Sequence, residues 1–561
     1  MRVSDTAAGT GAVPSPSGAP AAARPVGRLQ RPARRLHRLV ERVPAATWPE
    51  HLDIRIVAAL VALAAVLRVP TIGRSYWVDE GISIGIAGHP VAQIPGLLRH
   101  DGSPPLFYVL LHYWIALTGT SEVATHVLPL VISLAVVVVA WWCGRTLAGR
   151  SAGLAAAALA ATNPYLTWYA TETRMYTLVC GLGLALVTFA VRASRSRRAA
   201  DVAAAVVCAT ALDYTHNWGL YLTAAVAGVA GFQALRAGDR AAVRAVALAA
   251  AATLAAYLPW LPSLLEQARD TAAPWAVPPG VGDFFADPAT LLGGTLGVLV
   301  VPALALGAAV TWRERRALGA QPGLVLLFGA GLATLAAGWL VAQGEPSWTV
   351  RYLAVAYGPL TLAAAVALAV TARGRAVLGA VCVACAAWEA TGAVLPNPAA
   401  ADAKSNVAAI AAAAAPDLLP GDLVVVAQTE QLAVLHHYLP GGLRYVTPTG
   451  PVGDPTYVDW RDLTSRLEHA DVCATVLPAI GALAPGSTIL VVDPLRPIGA
   501  SSSQWSKAAN GKVTAIGRLM ASQPSLVATR SFIEGTSDPR PYSAVVGELY
   551  VKAAGPVTCP G

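Results

Sequence analysis

The strongest constraint in this sequence is a rhythm of long apolar stretches separated by short clusters of Lys and Arg. "GRTLAGR", "RASRSRR", "RAGDRAAVR", "TWRERRALG" and "TARGRA" each stand between two such stretches. A chain in hydrocarbon must satisfy its own amides, so stretches of this kind cross a bilayer as helices. Basic connections stay on the cytoplasmic side. Together with a basic N-terminal region they predict about eleven spans. The expected spans are Ile54 to Ile72, Val123 to Trp142, Ser151 to Trp168, Tyr176 to Val191, Val202 to Leu212, Trp218 to Leu235, Val243 to Trp260, Leu291 to Trp312, Leu324 to Val341, Tyr352 to Val370 and Ala376 to Val394. The 561 residues are 55% hydrophobic and only 13% charged, with a mean hydropathy of +0.54. An ordinary soluble domain is excluded.

The net charge of +8 comes from the clusters between apolar runs. It therefore reports topology rather than a nucleic-acid footprint, and no nucleic-acid-reading motif is present. Residues 1–53, with "RLQRPARRLHRLVERV", read as a disordered basic cytoplasmic tail. Arg68 and "SYWVDE" follow the first apolar run where a signal peptide would carry a small-residue cleavage site, so that run is expected to be a retained span. Cys382 and Cys385 form a CxxC inside an apolar run, which suits a packed helix face better than a zinc site.

Residues 54–394 are thus expected to form an all-α polytopic membrane domain. Beyond them the pattern changes. "GDLVVVA", "STILVVD", "SLVATRSFI" and "YSAVVGELYV" read as strands, with helix-like "SNVAAIAAAAA", "TEQLAVLHHYL" and "WRDLTSRLEHADVCATVL" between them. Residues 395–561 therefore read as a soluble α/β domain, which an odd number of spans puts outside the cell. No GxGxxG or GxxxxGK[ST] marks it as a nucleotide binder. Cys473 and Cys559 are its two cysteines, a disulfide candidate in an oxidising compartment.

On this topology the outward segments carry the unusual polar residues: "SYWVDEGIS", "HDGSPPLFY", "TWYATETRMY", "LDYTHNW", "PWLPSLLEQARD" and "GEPSWTVRYL". "PPLFYVLLHYWIAL", at about fourteen residues, suits a half-embedded helix begun by Pro105 rather than a span. The order and spacing of "LRVPTIGRSYWVDEGIS", "HDGSPPLFYVLLHYW", "NPYLTWYATETRMYTL" and "YTHNWGLYL" resemble C-type membrane glycosyltransferases. That group includes dolichyl-phosphate-mannose protein mannosyltransferases and the bacterial aminoarabinose transferase of lipid A. The resemblance covers Leu67 to Leu222, with a weaker echo in "RYL" at Arg351 to Leu353. It implies the C-type fold, a sugar donor on a polyprenyl phosphate, and an acid of the first outer loop at the reaction centre, hence Asp79 with Glu80 beside it. The sequence departs from the group at Gly81, where Ala is more usual, and at Ser103, where His often precedes the prolines.

The residues allow the same chemistry. Sugar transfer from a phosphate carrier needs a base for the acceptor hydroxyl and cations for the leaving phosphate. Asp79 suits the first role, with a solvated loop acid or helix cap as the bland alternative. Asp101, before Pro104 and Pro105, is a third catalytic candidate, able to orient the acceptor or to hold Arg99 or His100, or simply a turn former. Arg174 and Arg351 suit the phosphate, with Glu172, His216 and Tyr176 as further donor-site candidates. Their alternative reading is an interfacial Arg snorkelling past Trp168 and Tyr169 with Glu172 as partner, and an interfacial His satisfied locally. One His and one Asp, His216 and Asp213, are too few for a metal site, so no cofactor is expected to be required, although a divalent metal is not excluded.

These readings describe a multi-pass plasma-membrane enzyme that moves a sugar from a polyprenyl-phosphate donor to a lipid, glycan or protein acceptor on the outer face. Transfer would invert the anomeric carbon, with Asp79 as base. A transporter or flippase of lipid-linked sugars is the alternative, and a non-enzymatic envelope scaffold a third reading. Paired broken helices would favour transport, and no such symmetry is visible. The topology predicts that a membrane-impermeant thiol or protease probe applied to intact cells reaches residues beyond Leu395 and not the Arg-rich tail. The opposite labelling would overturn the orientation and every site assigned from it.

Overall fold

The computed structural model describes residues 50–271, 273–316, 322–369, 371–394, 405–499, 503–534 and 543–560. Most of the expected tail lies outside the described residues. Helices cover each expected span: α1 (Glu50–Arg68), α5 (Glu122–Ala148), α6 (Arg150–Ala161) with α7 (Pro164–Tyr169), α8 (Tyr176–Ser196), α9 (Ala199–Asp213), α10 (Gly219–Arg236), α11 (Arg240–Tyr257), α14 (Gly297–Arg316), α15 (Pro322–Val341), α16 (Ala354–Leu368) and α17 (Ala372–Val394). Between them lie α2 (Val78–Ala87), α3 (Ile94–Asp101), α4 (Leu106–Thr118), α12 (Leu261–Asp270) and α13 (Val281–Gly293). Among the described residues, 7 helices are long and apolar enough to cross a membrane. The chain is a multi-pass membrane protein.

Local chemistry explains where these helices differ from the expected spans. The first begins at Glu50 rather than Ile54, with Asp53 in its first turn, where an acid favours the helix dipole. The third expected span breaks in two because the Asn163 side chain accepts a hydrogen bond from the Leu166 amide and caps α7, with Pro164 following as first residue. Gly293 and Gly294 end α13, so the next helix starts at Gly297 rather than Leu291. Helix α4 has 13 residues, too short to span. Cys382 and Cys385 are buried on α17.

Helix α5, at 27 residues, is about 40 Å long and measures the depth of the bundle. At its far end Asp53 is held by Arg150 at 2.7 Å and by Arg145 at 3.3 Å. Both arginines of the "GRTLAGR" cluster thus end against the first helix. At its near end Glu122 accepts from the Tyr438 hydroxyl of the C-terminal domain at 2.8 Å.

The C-terminal domain holds a six-stranded sheet in the order β3-β2-β1-β4-β6-β5, from β1 (Leu423–Val426), β2 (Arg444–Thr447), β3 (Gly450–Pro451), β4 (Thr488–Pro494), β5 (Leu526–Phe532) and β6 (Val545–Lys552). Strand β1 runs parallel to β2 and β4, while β3, β5 and β6 pair antiparallel. Leu423 and Val425 face one core with Ile489, Val491 and Ile516; Val424 and Val426 face the core continuous with the membrane helices. Burial on both faces is why "LVVV" is an unbroken apolar run. Cys473 and Cys559 are joined by a disulfide with their Cα atoms 5.6 Å apart.

The domain seats directly on α2. A Cβ at Gly81 would stand 2.7 Å from the Val434 backbone, and one at Gly85 would stand 1.7 Å from the Thr456 carbonyl oxygen. That close approach is the physical reason for Gly81 where the resemblance expects Ala. Gly85→Ala is expected to destabilise the protein by at least the ~1–3 kcal/mol of an overpacked core. Gly96, whose added Cβ would meet nothing within 4 Å, should tolerate Ala or gain up to ~1 kcal/mol. Unfolding in detergent, with proteolysis between the two halves as a second readout, checks the pair. Equal behaviour of the two variants would show that the seam is not tight.

Candidate functional site

The aromatic pair "YW" seats the start of α2. Tyr76 donates through its hydroxyl to the Thr120 carbonyl and shares a 2.6 Å hydrogen bond with Thr125, while its amide donates to the Tyr438 hydroxyl. The first turn of α2 then sends its two acids in different directions. Asp79 lines a cavity of about 450 Å³ between the helices and the C-terminal domain. Its Oδ2 accepts from Arg351 at 2.7 Å and lies 4.0 Å from the Arg174 Nε.

Glu80 turns inward and is fully buried. Its Oε1 lies 2.7 Å from the His126 Nε2 and accepts from the Thr173 amide at 2.7 Å. The His126 Nδ1 stands 2.7 Å from the Ile72 carbonyl. Both ring nitrogens thus face oxygen acceptors. Glu80 ties α2, α5 and the segment before α8 together and stays off the cavity wall. In the structure it holds α2 in place rather than lining the cavity beside Asp79.

Asp101 ends α3 and reaches the site through a relay. Tyr108 donates to its Oδ2 at 3.1 Å, and Arg174 donates to the Tyr108 hydroxyl at 3.0 Å and to the Ser83 hydroxyl at 2.9 Å. Burial raises the Asp101 carboxyl above its ordinary range, opposed by the Arg174 charge. The carboxylate holds neither neighbour that the sequence offered: Arg99 donates to Ser263, and the His100 ring lies against Tyr457. Helix α3 carries those two side chains to other partners.

Arg351 is braced by three rings, with its guanidinium 5.4 to 5.8 Å from the centroids of Tyr352, Trp275 and Trp77. Arg174 lies 6.0 Å from the Tyr176 ring, a cation over an aromatic face. Glu172 accepts from the Trp168 indole at 3.2 Å. His216 accepts the Trp218 amide on Nδ1 and packs its ring against Tyr352 at 4.8 Å. Burial, then the charges of Arg174 and Arg351, push its pKa down to about 3, so His216 is neutral at pH 7. A neutral ring beside two guanidiniums can donate a hydrogen bond without adding charge.

The rest of the cavity wall was not legible from motifs. Trp275 comes from the stretch after α12, Asp283 and Asp287 from α13, and Gln428, Glu430, Trp460 and Trp505 from the C-terminal domain. A second cavity of about 510 Å³ shares Tyr169 and Val350 with the first and reaches Leu67, Trp168 and Trp388 among the helices. Among the described residues, no group of 3 or more His, Cys, Asp or Glu stands ready for a metal ion.

No protein-family profile matches the sequence, and no curated protein matches it. Solved structures do. ArnT from Cupriavidus metallidurans bound to undecaprenyl phosphate superposes with a TM-score of 0.56 at 15% identity, over 90% of this chain and 99% of that one. Its apo state gives 0.55 at 15% identity, over 88% and 97%. The chain has the ArnT fold. The apo oligosaccharyltransferase of Archaeoglobus fulgidus is similar at 0.50 and 10% identity, over 70% of this chain and 64% of that one. This is the C-type glycosyltransferase fold that the motifs from Leu67 to Leu222 imply.

Glu80→Ala is expected to cost about 2–5 kcal/mol of stability by stranding the His126 ring and the Thr173 amide in the interior. Glu80→Gln keeps an acceptor oxygen and should cost about 1 kcal/mol. Chemical unfolding of the purified variants checks the order. A Glu80→Ala protein as stable as wild type would remove its positioning role.

Proposed function

We propose that the protein transfers a sugar from a polyprenyl-phosphate carrier to an acceptor hydroxyl, on the outer face of the membrane, with inversion at the anomeric carbon. The observation that supports it most is the convergence of one carboxylate and two guanidiniums, Asp79, Arg351 and Arg174, at one cavity wall. A cavity shared by an acid and cations fits a hydroxyl that loses a proton and a phosphate that gains charge.

In this reading the phosphodiester of the donor engages the Arg174 and Arg351 forks. A carboxylate held by a cation is a weak base, and the arriving phosphate relieves Asp79 of that hold. Asp79 then takes the acceptor proton as the acceptor oxygen bonds to the anomeric carbon. The bond from that carbon to phosphate oxygen breaks, and the electron pair leaves with the carrier phosphate. Asp101 acts through Tyr108 by fixing Arg174, and neutral His216 supports the two cations. The second cavity, among the helices, gives the prenyl chain room beside the first. That ArnT from Cupriavidus metallidurans, to which this chain is similar in fold, has been seen bound to undecaprenyl phosphate supports this reading. The reading assigns the phosphate charge to the two arginines and asks for no metal. The domains bounded by residues 54–394 and 395–561 would meet at the site, the latter facing the cell exterior.

Asp79→Asn should lower transfer by about the 10²- to 10⁴-fold typical of a lost general base, with donor binding kept. Arg174→Leu and Arg351→Leu should each weaken donor binding by ~1.5–3 kcal/mol, the worth of a charged hydrogen bond. Lys at either position restores part of it, because an ammonium cannot grip two oxygens at once. A chelator should leave transfer unchanged. The assay is purified protein in detergent with synthetic short-chain polyprenyl-phosphate sugars, donor binding being measured in parallel. Full turnover by Asp79→Asn would remove its role as base, and donor binding without any transfer by the unmodified protein would favour the lipid-linked-sugar transporter.

A further inference from the structure

The first turn after β1 concentrates polar atoms without partners. Glu430 is 4% exposed, and neither of its carboxylate oxygens has a hydrogen-bond partner among the described residues. The same holds for the Trp505 indole nitrogen, the Thr429 hydroxyl and the Gln431 amide oxygen. Burial pushes the Glu430 carboxyl up to about 7, although Gln428, the Trp505 indole and the Glu430 amide approach it closely enough to lower its pKa as weak donors, none with the geometry of a full hydrogen bond. Leaving a buried carboxylate unpaired costs a protein more than any neutral replacement, so its presence calls for a ligand.

The topology says where such a ligand sits. The sheet order sets β2 on one side of β1 and β4 on the other, both parallel to it. The chain turns from β1 towards β2 and only later supplies β4, so the order reverses between β1 and β4. Open α/β sheets take ligands in the crevice outside the carboxyl ends of the strands at such a point. Gln428 and Glu430 follow β1 and Ile498 follows β4, and all three line the cavity that holds Asp79. The crevice of the sheet therefore opens onto the proposed reaction centre.

The wall has the chemistry of a sugar site. Trp275 and Trp460, with ring centroids 4.9 Å apart, supply apolar surface to the same cavity as Trp505, among polar groups that could orient a ligand. A small cation would satisfy Glu430 and leave the Trp505 N–H unpaired. A hydroxyl accepts from that N–H and donates to the carboxylate, satisfying both.

We propose that the C-terminal domain binds a neutral carbohydrate at the Glu430–Trp505 crevice and that this carbohydrate is the acceptor glycan. The assignment to the acceptor rests on the glycosyltransferase reading: a lipid-linked donor enters from the helices and takes Arg174 and Arg351, which leaves the part of the cavity lined by the C-terminal domain to the acceptor. The acceptor class narrows from lipid, glycan or protein to glycan.

The test uses the full chain in detergent and two variants, Glu430→Leu and Trp505→Phe. Saturation-transfer NMR with neutral mannose, galactose and arabinose oligosaccharides reads binding without donor, and glucosamine serves as the cationic probe. Wild type should bind at least one neutral oligosaccharide, and each variant should weaken that binding by about tenfold or more, the weight of a hydrogen bond to a charged group. Glu430→Leu should also raise the melting temperature, since it removes an unpaired buried charge; a merely structural Glu430 would lower it. In transfer assays the acceptor KM should rise while the donor KM holds. No neutral binding, binding of glucosamine alone, or a lower melting temperature would overturn the subsite, and a rise in donor KM instead would overturn its assignment to the acceptor. Glu430-dependent sugar binding by a protein that transfers nothing would leave the subsite standing and sink the catalytic reading.

Discussion

The 2.7 Å bond between Asp79 and Arg351 joins residues 272 positions apart, and most of the site depends on the helices that bring them together. Asp79 rides on a ten-residue helix that could not hold a fixed pose alone, since an isolated helix of that length is marginal in water. Three other contacts fix it. Glu80 bolts its buried side to α5 and to the segment before α8, Tyr76 anchors its start, and Gly81 and Gly85 let the C-terminal domain press on its remaining face. Arg351 is fixed differently, by aromatic rings that brace a planar cation without neutralising it. A mobile acid facing a braced cation would lose its register; here both are held.

Much of the fold was written in the sequence at long range. Apolar stretches of near-bilayer length and the basic clusters between them have one low-energy solution, and a helix lies over every expected span. The misjudged boundaries come from local signals that compete with hydropathy. "TNPY" reads as part of an apolar run, yet Asn163 is an effective helix cap with Pro164 behind it, and the Asn-Pro pair was the available warning. Helix α13 sits in a stretch whose two acids, Asp283 and Asp287, and proline mask its helical pattern. In the C-terminal domain the strands β1 and β4 are evident as apolar runs, whereas β2 and β3 have 4 and 2 residues and are too short to show periodicity.

The site divides the same way. Asp79, Arg174 and Asp101 stand in motifs whose order could be read, and Arg351 was found through its position beyond a span. Trp275, Tyr108 and Glu430 could not be singled out, because what makes them notable is partnership. Tyr108 looks like any aromatic of a half-embedded helix until its hydroxyl is seen between Asp101 and Arg174. Glu430 follows a strand as many surface acids do, and only burial without a partner distinguishes it. Glu80 shows the converse: adjacency alone implies that it and Asp79 cannot share one direction, since successive helix residues point about 100° apart, but not which acid meets the cavity and which the core.

Strand β6 is the last of the sheet to be synthesised, and it pairs with β4 along its whole length from Thr488 to Pro494. The wall of the cavity that follows β1 and β4 therefore cannot settle until residues near 550 have been made, long after α2 and its acid. Domains made first fold first during translation, so the membrane half waits, inserted and complete in its helices, without the surface that presses on α2. A chain still being made therefore carries Asp79 on a helix with one face uncovered, and the pose of that acid is set only once β6 has joined the sheet.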